Sequence, residues 1–283
     1  MTAIKRILVT GAGGFVGTRI LQQWGGCYEL LTLPKGFFRT AEETEVITQA
    51  VRLHPEVILH TAAISDTGYC MQHPEEAYRA NVELPVWLAK AAGRTGAKLV
   101  AFSSDQVYAG VRQAGALPED MELAPSNVYG RCKLEAEQRV LDLCPDSVHL
   151  RAAWMYDLPG YGLPIRGNLP LNLMRASLRG ETVSFSRNDF RGVTYVRQVI
   201  ENLRQAMELP GGVYNFGSTN TENMVRTAHQ FAEAMGFRVQ VEEAAWPRNL
   251  VMDDTKLASF GIRFDTTQQG ILHCLQDYGL RDL

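Results

Sequence analysis

Tyr129 and Lys133, four positions apart in the run Asn127-Val128-Tyr129-Gly130-Arg131-Cys132-Lys133, form the pair in this sequence best suited to proton chemistry. Positions i and i+4 of a helix share a face, so the phenol and the ammonium point into one site. A free phenol titrates near ~10 and needs a neighbouring cation to exchange protons readily near neutral pH. Lysine supplies that charge and can also hold a ribose hydroxyl. Upstream stands Ser103-Ser104-Asp105, with Ser104 25 residues before Tyr129. A serine at the carboxyl end of a parallel strand sits where doubly wound folds place their ligands. Its hydroxyl can bond a carbonyl oxygen and steady negative charge developing there.

A second constellation opens the chain: Thr10-Gly11-Ala12-Gly13-Gly14-Phe15-Val16-Gly17, with glycine at 11, 14 and 17. Glycine allows a tight turn, close approach of the backbone to a pyrophosphate and close packing of helix on strand. The helix N-terminus that follows offers unpaired N–H groups and a positive dipole to an anion. The motif follows a strand and opens a helix, the context that makes it a dinucleotide cradle. An NAD site usually carries an acid about 20 residues on, at the end of the second strand, to bind the ribose 2′-hydroxyl. Here that place reads Leu31-Thr32-Leu33-Pro34-Lys35, with Arg39 and Arg19 also near in sequence. NADP(H) is therefore favoured, and NAD(H) is the alternative.

These groups need elements to hold them. Short apolar runs alternate with helical patterns through the first half: strands at Arg6–Thr10, 28–33, Val57–His60, 98–103 and 148–153, and helices at Phe15–Trp24, 42–53, 75–92 and 127–143. Such alternation predicts an α/β fold, a doubly wound parallel sheet of the Rossmann type covered by helices on both faces. After Ala153 the rhythm changes. Residues 154–168 are rich in proline, glycine and tyrosine and read as a long loop. Helices are expected at Leu169–Arg179, 196–207 and 221–235, short strands at 183–185 and 213–216, and a short helix capped by Asp253 or Asp254 and ended by Gly261. The expected division is a dinucleotide-binding core over 1–153 and a smaller substrate-binding lobe over 154–283, laid over the strand ends, with some segments returning to the core.

Bulk properties narrow the function classes. The 283 residues are 46% hydrophobic and 21% charged, with net charge −3, the balance of a soluble globular chain with no general attraction for nucleic acid or anionic membrane. No secretory leader pattern and no long apolar run is expected to reach or cross a membrane. Cys27, Cys70, Cys132, Cys144 and Cys274 are odd in number and include no CxxC pair; the histidines are scattered. The reading is reduced thiols in a cytoplasmic protein, no metal site and no disulfide framework. A homodimer is compatible with it.

Together the cradle, the serine pair and the Tyr/Lys pair make the chain resemble the extended short-chain dehydrogenases, and within them the dTDP-4-dehydrorhamnose reductase family. The similarity runs almost the full length. It includes His60-Thr61-Ala62-Ala63, Asn81-Val82, Leu150-Arg151-Ala152-Ala153-Trp154, Gly212-Val213-Tyr214-Asn215 and Pro247-Arg248-Asn249 followed by Asp253 and Lys256-Leu257. The resemblance implies Tyr129 as proton donor, Ser104 as the group polarising the carbonyl and Lys133 as the cation tuning Tyr129. It implies that Gly14, Phe15, Val16, Ala62, Ala63, Ile64, Ser65 and Ser103 line the cofactor, alongside Gly11 and Gly17, and that Tyr129 and Lys133 touch it too. Ser104, Asp105 and Trp154 would meet a nucleotide-linked sugar. The chain departs from the family in a longer 154–168 connection and a shorter stretch between the second strand and second helix.

The triad alone serves reductases, epimerases and dehydratases. Dehydratases of this fold carry Asp-Glu after the serine; here the pair is Asp105-Gln106, and glutamine cannot accept a proton from carbon. Val107-Tyr108-Ala109-Gly110 continues in a way closer to the reductases. Epimerases hold NAD tightly, against which the missing ribose-binding acid argues. Two alternatives stay open: a nucleotide-sugar epimerase of the same superfamily, against which that argument is mild, and a non-catalytic NADP-binding subunit like the regulatory β subunit of methionine adenosyltransferase, because fold alone does not fix function. Trp24, Trp87 and Trp246 read as packing residues. Arg175, Arg187 and Arg191 are candidates to neutralise a diphosphate.

Overall fold

The protein is described here by a computed structural model covering residues 5–281. Strand β1 (Arg6–Thr10) runs through the glycine turn into α1 (Phe15–Trp24), followed by β2 (Glu29–Leu31), the short α2 (Phe37–Thr40), α3 (Glu43–Arg52) and β3 (Val57–His60). Helices α4 (Thr67–Gln72) and α5 (Pro74–Tyr78) lead through a π-helical turn (Arg79–Glu83) into α6 (Leu84–Thr95). Then come β4 (Lys98–Ser104), a 3-10 turn (Asp105–Tyr108), α7 (Val128–Leu143) and β5 (Val148–Ala152). The later chain holds β6 (Trp154–Tyr156), α8 (Leu169–Arg179), β7 (Thr182–Ser186), β8 (Asp189–Arg191), β9 (Val193–Tyr195), α9 (Val196–Ala206) and β10 (Gly212–Phe216). It closes with α10 (Met224–Ala234), β11 (Gln240–Ala244), β12 (Arg248–Leu250), α11 (Thr255–Ser259) and α12 (Thr267–Asp277).

A six-stranded sheet has the order β10-β5-β4-β3-β1-β2, with β1 parallel to both β2 and β3, and β3 parallel to β4. All four residues of β3 and the last four of β1 are buried, as strands covered on both faces must be. Leu8, Ile58 and Leu99 of the sheet pack with Val46 and Ile47 of α3 and Val86, Trp87 and Leu88 of α6. Each such side chain contributes about 1.5–3 kcal/mol by leaving water. The chain leaves β1 toward β2 and returns on the other side at β3. That reversal opens a crevice at the carboxyl ends of β1 and β3, where doubly wound sheets receive ligands.

The chain divides into two compact units. One comprises residues up to Val107 with Pro125–Arg151 and Leu203–Tyr214; the other comprises Tyr108–Ala124, Ala152–Asn202 and Asn215 onward. The second unit has its own core, in which Tyr156, Leu173, Tyr195, Phe231 and Ile271 are buried together. Its strands form three parallel pairs, β6 with β9, β7 with β11 and β8 with β12. Within it the side chain of Asn215 donates to the carbonyls of Leu117 and Asp253, and Tyr108 donates to Asn215 Oδ1 at 2.8 Å.

The structure corrects the loop expected over 154–168: Trp154–Tyr156 is strand β6, and Asn168 caps α8 by accepting from the Leu171 N–H. The 213–216 strand, expected with the later lobe, is β10 and lies beside β5 at the edge of the main sheet. Asp253 accepts from the Thr255 N–H at the start of α11, while the Asp254 side chain makes no cap bond. Trp24 and Trp87 are core residues as expected, but Trp246 is 48% exposed.

Candidate active site

The cradle is shaped by two glycines that cannot be replaced and one end that stays open. Gly11 has φ +70°, and a Cβ there would stand 2.6 Å from the Ala62 nitrogen and 2.8 Å from Thr61 Oγ1. At Gly17 a Cβ would meet the Gly11 carbonyl oxygen at 2.2 Å, so the first turn of α1 lies directly on the loop. Gly13 has nothing within 4 Å, and Gly14 caps α1 with an extended backbone and no side-chain cap. The first N–H groups of α1 thus have no capping side chain, the arrangement an anion completes. This cradle fits a dinucleotide pyrophosphate: backbone close by on two sides, helix N-terminus open on the third. Thr18 and Arg19 return bonds to the carbonyls of Gly14 and Phe15, and the Arg19 guanidinium lies 4.1 Å over the Phe15 ring. Arg19 is 1% exposed, so it braces α1 and is removed from the residues that could reach a 2′-phosphate. Lys35 and Arg39 are exposed beyond β2.

Across the crevice, Thr61 Oγ1 donates to the Thr10 carbonyl at 2.7 Å, tying the end of β3 to the end of β1. Thr10 Oγ1 and His60 Nδ1 are 2.7 Å apart and both side chains are buried; His60 Nε2 has no hydrogen-bond partner among the described residues. Burial, then Lys133 and His149, pushes His60 down to about 3, so it is a neutral imidazole at any working pH. Ala62, Ala63 and Ile64 are half-buried along this strand end, and Ser65 is exposed. The Ile64 carbonyl accepts from Asn81 Nδ2 at 3.0 Å. Asn81 is fully buried on the π-helical turn, with Oδ1 lacking a partner among the described residues. Such turns recur at functional sites. Asn81 entered the sequence reading only as a family match; its signal as a site residue is a backbone irregularity that composition does not reveal.

Helix α7 is fastened to β4 and the turn after it. Asn127 caps the helix by accepting from the Gly130 N–H at 2.8 Å, and its own amide donates to Gln106 Oε1 at 3.1 Å. A Cβ on Gly130 would stand 2.2 Å from the Gln106 carbonyl oxygen, so the helix touches the turn through a bare backbone. Lys133 Nζ donates to the Phe102 carbonyl at 2.9 Å, two residues before Ser104. Its ammonium lies 5.8 Å from the Tyr129 ring centroid. Tyr129 is 6% exposed and packs with Cys70 and Ala77. Burial pushes Lys133 down to about 8, opposed by Glu137 and, more weakly, by Cys132 and Cys70.

Ser104 Oγ donates to Asp105 Oδ1 and accepts from the Gln106 N–H, both at 3.2 Å. These are long bonds that a substrate carbonyl can exchange for a better one. Ser103 points the other way: its hydroxyl donates to Glu137 Oε1 at 2.5 Å, so the expected cofactor contact from its side chain is taken by α7. Thus the first unit brings together Gly11, Gly14, Phe15, Val16, Gly17, Ala62, Ala63, Ile64, Ser65, Ser104, Asp105, Tyr129 and Lys133 at the carboxyl ends of adjacent strands. Trp154 belongs to the second unit, where the Arg191 guanidinium lies 5.0 Å over its ring. Arg191 is 8% exposed, whereas Arg175 and Arg187 are exposed. Among the described residues no group of three His, Cys, Asp or Glu could hold a metal, and no helix is long and apolar enough to cross a membrane.

Comparison with known proteins bears on this geometry. Residues 5–279 match the family model of the RmlD substrate binding domain. The chain is 24% identical over 241 residues to the spore coat polysaccharide biosynthesis protein SpsK of Bacillus subtilis, covering 84% of this chain and 82% of that protein. It is 27% identical over 279 residues to the dTDP-4-dehydrorhamnose reductase of Streptomyces griseus, covering 91% of this chain and 88% of the relative. In fold it superposes with TM-score 0.87 on the dTDP-4-dehydrorhamnose reductase of Bacillus anthracis in complex with NADP. That alignment spans 98% of this chain and 100% of that one, at 21% identity.

Proposed function

The chain belongs to the RmlD substrate binding domain family, and on that premise we propose that it is an NAD(P)H-dependent reductase of a keto group on a nucleotide-linked sugar. The observation that carries this is the fastening of α7 to β4, which sets Tyr129 and Lys133 beside Ser104 at the strand ends next to an open dinucleotide cradle. A relative named for dTDP-4-dehydrorhamnose reduction over nine-tenths of the chain supports the same reading.

Gly11, Gly14 and Gly17, with Phe15 and Val16, hold the pyrophosphate, and Ala62, Ala63, Ile64 and Ser65 border the cofactor on the β3 side. The nicotinamide, when bound, supplies the hydride. Ser104 releases Asp105 and donates to the substrate carbonyl oxygen, orienting it and stabilising the developing charge. Tyr129 gives its phenolic proton to that oxygen. Lys133, charged below pH of about 8, stabilises the phenolate left behind and donates to the ribose. Asp105 is assigned to the sugar nucleotide. Gln106, where a base would be needed for dehydration, is an amide that accepts from Asn127 and donates to Asp105 Oδ1.

NADPH is the preferred cofactor in this reading, because no acid ends β2 and Lys35 and Arg39 stand exposed beyond it. Fluorescence titration should give a lower Kd for NADPH than for NADH, and the preference should shrink in Lys35→Glu/Arg39→Glu; equal affinities in the wild type would refute it. All five cysteines are free thiols, which suits the cytoplasm as the location we assign; a homodimer is the assembly to test by light scattering. Incubation with a dTDP-4-keto-sugar tests the activity itself: NADPH should be consumed in step with the ketone. Failure across keto-sugars on several nucleotides would leave a cofactor-binding protein.

A further inference from the structure

Behind the Tyr129–Lys133 pair lies a buried charged group that the reaction as described does not use. Glu137 follows Lys133 by four residues on α7, on the same inward face, and is 2% exposed. Its carboxylate takes Arg151 of β5 in a two-pronged grip, Nη2 to Oε2 at 2.7 Å and Nε to Oε1 at 3.1 Å. It also accepts from Ser103 Oγ at 2.5 Å. A buried ion pair is a costly way to join a helix to a sheet, since apolar residues of similar volume often serve as well or better. The pair is therefore weak evidence for a purely stabilising role.

We propose that Glu137 is a positioning residue whose buried negative charge keeps the Lys133 ammonium protonated and fixed against β4, and so keeps Tyr129 competent as proton donor. Three observations converge. Lys133 is itself 3% exposed and has its ammonium bound to a neutral carbonyl, that of Phe102, instead of to a carboxylate. Ser103, which anchors Glu137, is the residue following Phe102, so one stretch of β4 holds both the cation and the anion. The other titratable groups facing Lys133 do not offer a full negative charge at neutral pH. His60 of β3 and His149 of β5 are buried and neutral, and burial pushes the thiols of Cys70 on α4 and Cys132 on α7 upward. Glu137 is the largest influence opposing the loss of the proton that burial favours. Arg151 and Ser103 fix where that charge sits. The signature Tyr129-x₃-Lys133-x₃-Glu137 thereby stacks proton donor, cation and anion on successive turns of one helix face.

The sign follows directly. Removing the anion makes the ammonium easier to deprotonate, so both the Lys133 titration and the falling alkaline limb of turnover move to lower pH. The shift expected from losing one opposite charge at close range is about one pH unit. The effect on turnover rests on the reductase reading; the effect on the ammonium does not, and the experiment separates them. Lysine is labelled with ¹³C at Cε in the full chain, the Lys133 resonance is assigned by its absence in Lys133→Met, and its titration is followed by NMR. Glu137→Gln keeps the shape and the bond from Ser103 but leaves Arg151 buried without its partner and can fail to fold. Glu137→Gln/Arg151→Met removes both charges and keeps the test open. In folded Glu137→Gln Lys133 should titrate about one unit lower than in the wild type. In Glu137→Gln/Arg151→Met the lost Arg151 cation offsets part of that, so the fall should be smaller but in the same direction, while Glu137→Asp, which keeps the charge, should stay near the wild-type value. In turnover with NADPH and a keto-sugar the alkaline limb should move by the same amount. An unchanged Lys133 titration in a folded variant overturns the proposal and leaves Glu137 a structural clamp. A shifted titration in a protein that reduces no keto-sugar upholds it and overturns the reductase reading alone.

Discussion

In the proposed mechanism Tyr129 and Lys133 divide the work, and substitution should separate them. General-acid help is typically worth about 10²–10⁴-fold. Tyr129→Phe should therefore cut turnover by that order while leaving NADPH affinity nearly unchanged, because the phenol acts mainly in the transition state. Lys133→Ala should damage both turnover and binding, since it loses the charge beside the phenol and the donor to the ribose. Steady-state rates and cofactor titrations on the two variants read this; a Tyr129→Phe protein with full activity would remove Tyr129 from the mechanism. Arg19 shows the opposite kind of lesson. Its sequence neighbourhood made it a candidate for phosphate, yet its guanidinium is turned inward onto Phe15. Which way a long side chain points is decided by packing, and no spacing rule foretells it.

At the scale of elements, the site depends on places where backbone meets backbone. A Cβ at Gly17 would stand 2.2 Å from the Gly11 oxygen, and one at Gly130 would stand 2.2 Å from the Gln106 oxygen. Gly17→Ala should lower cofactor affinity and Tm together. Gly130→Ala should leave the cradle intact but push α7 off the turn after β4, lowering turnover more than cofactor affinity. Gly13→Ala, with no protein atom within 4 Å, is the folding control and should keep the wild-type Tm, so that any loss of cofactor affinity there reports the ligand side of the cradle alone. Binding titration, turnover and thermal unfolding on the three variants check the pattern; a tolerant Gly17→Ala would show that the loop has slack the structure does not reveal. The cradle, β3, β4 and α7 were legible in the sequence because each is a strong local pattern: a glycine turn between strand and helix, a run of buried apolar residues, a capped helix begun by Asn127. The three-residue strands β6, β8, β9 and β12 were not. Each is too short to show alternation, and each exists through a partner tens of residues away. Gly130 carried no legible signal, since a glycine early in a helix reads equally well as mere tolerance.

For the whole molecule, the chain does not assemble its units in sequence order. Residues 203–214 return to the first unit, and β10 takes the edge beside β5, while 108–124 belong to the second. A pattern read along the chain locates strands but not their order in a sheet, because pairing is a long-range choice. A fragment of residues 1–153 should accordingly fail to unfold cooperatively, since it lacks the 203–214 segment and leaves β5 as an uncovered edge. A sharp calorimetric transition from that fragment would show that the core is complete without it. Reduction of a sugar ketone by hydride from the nicotinamide is the central claim, and isotope transfer tests it most directly. With NADPH deuterated at the transferable position of C4 and a dTDP-4-keto-sugar, the wild-type protein should place deuterium on the former carbonyl carbon of the product, one per cofactor oxidised. Product lacking deuterium, or tightly bound cofactor with no product at all, would contradict it.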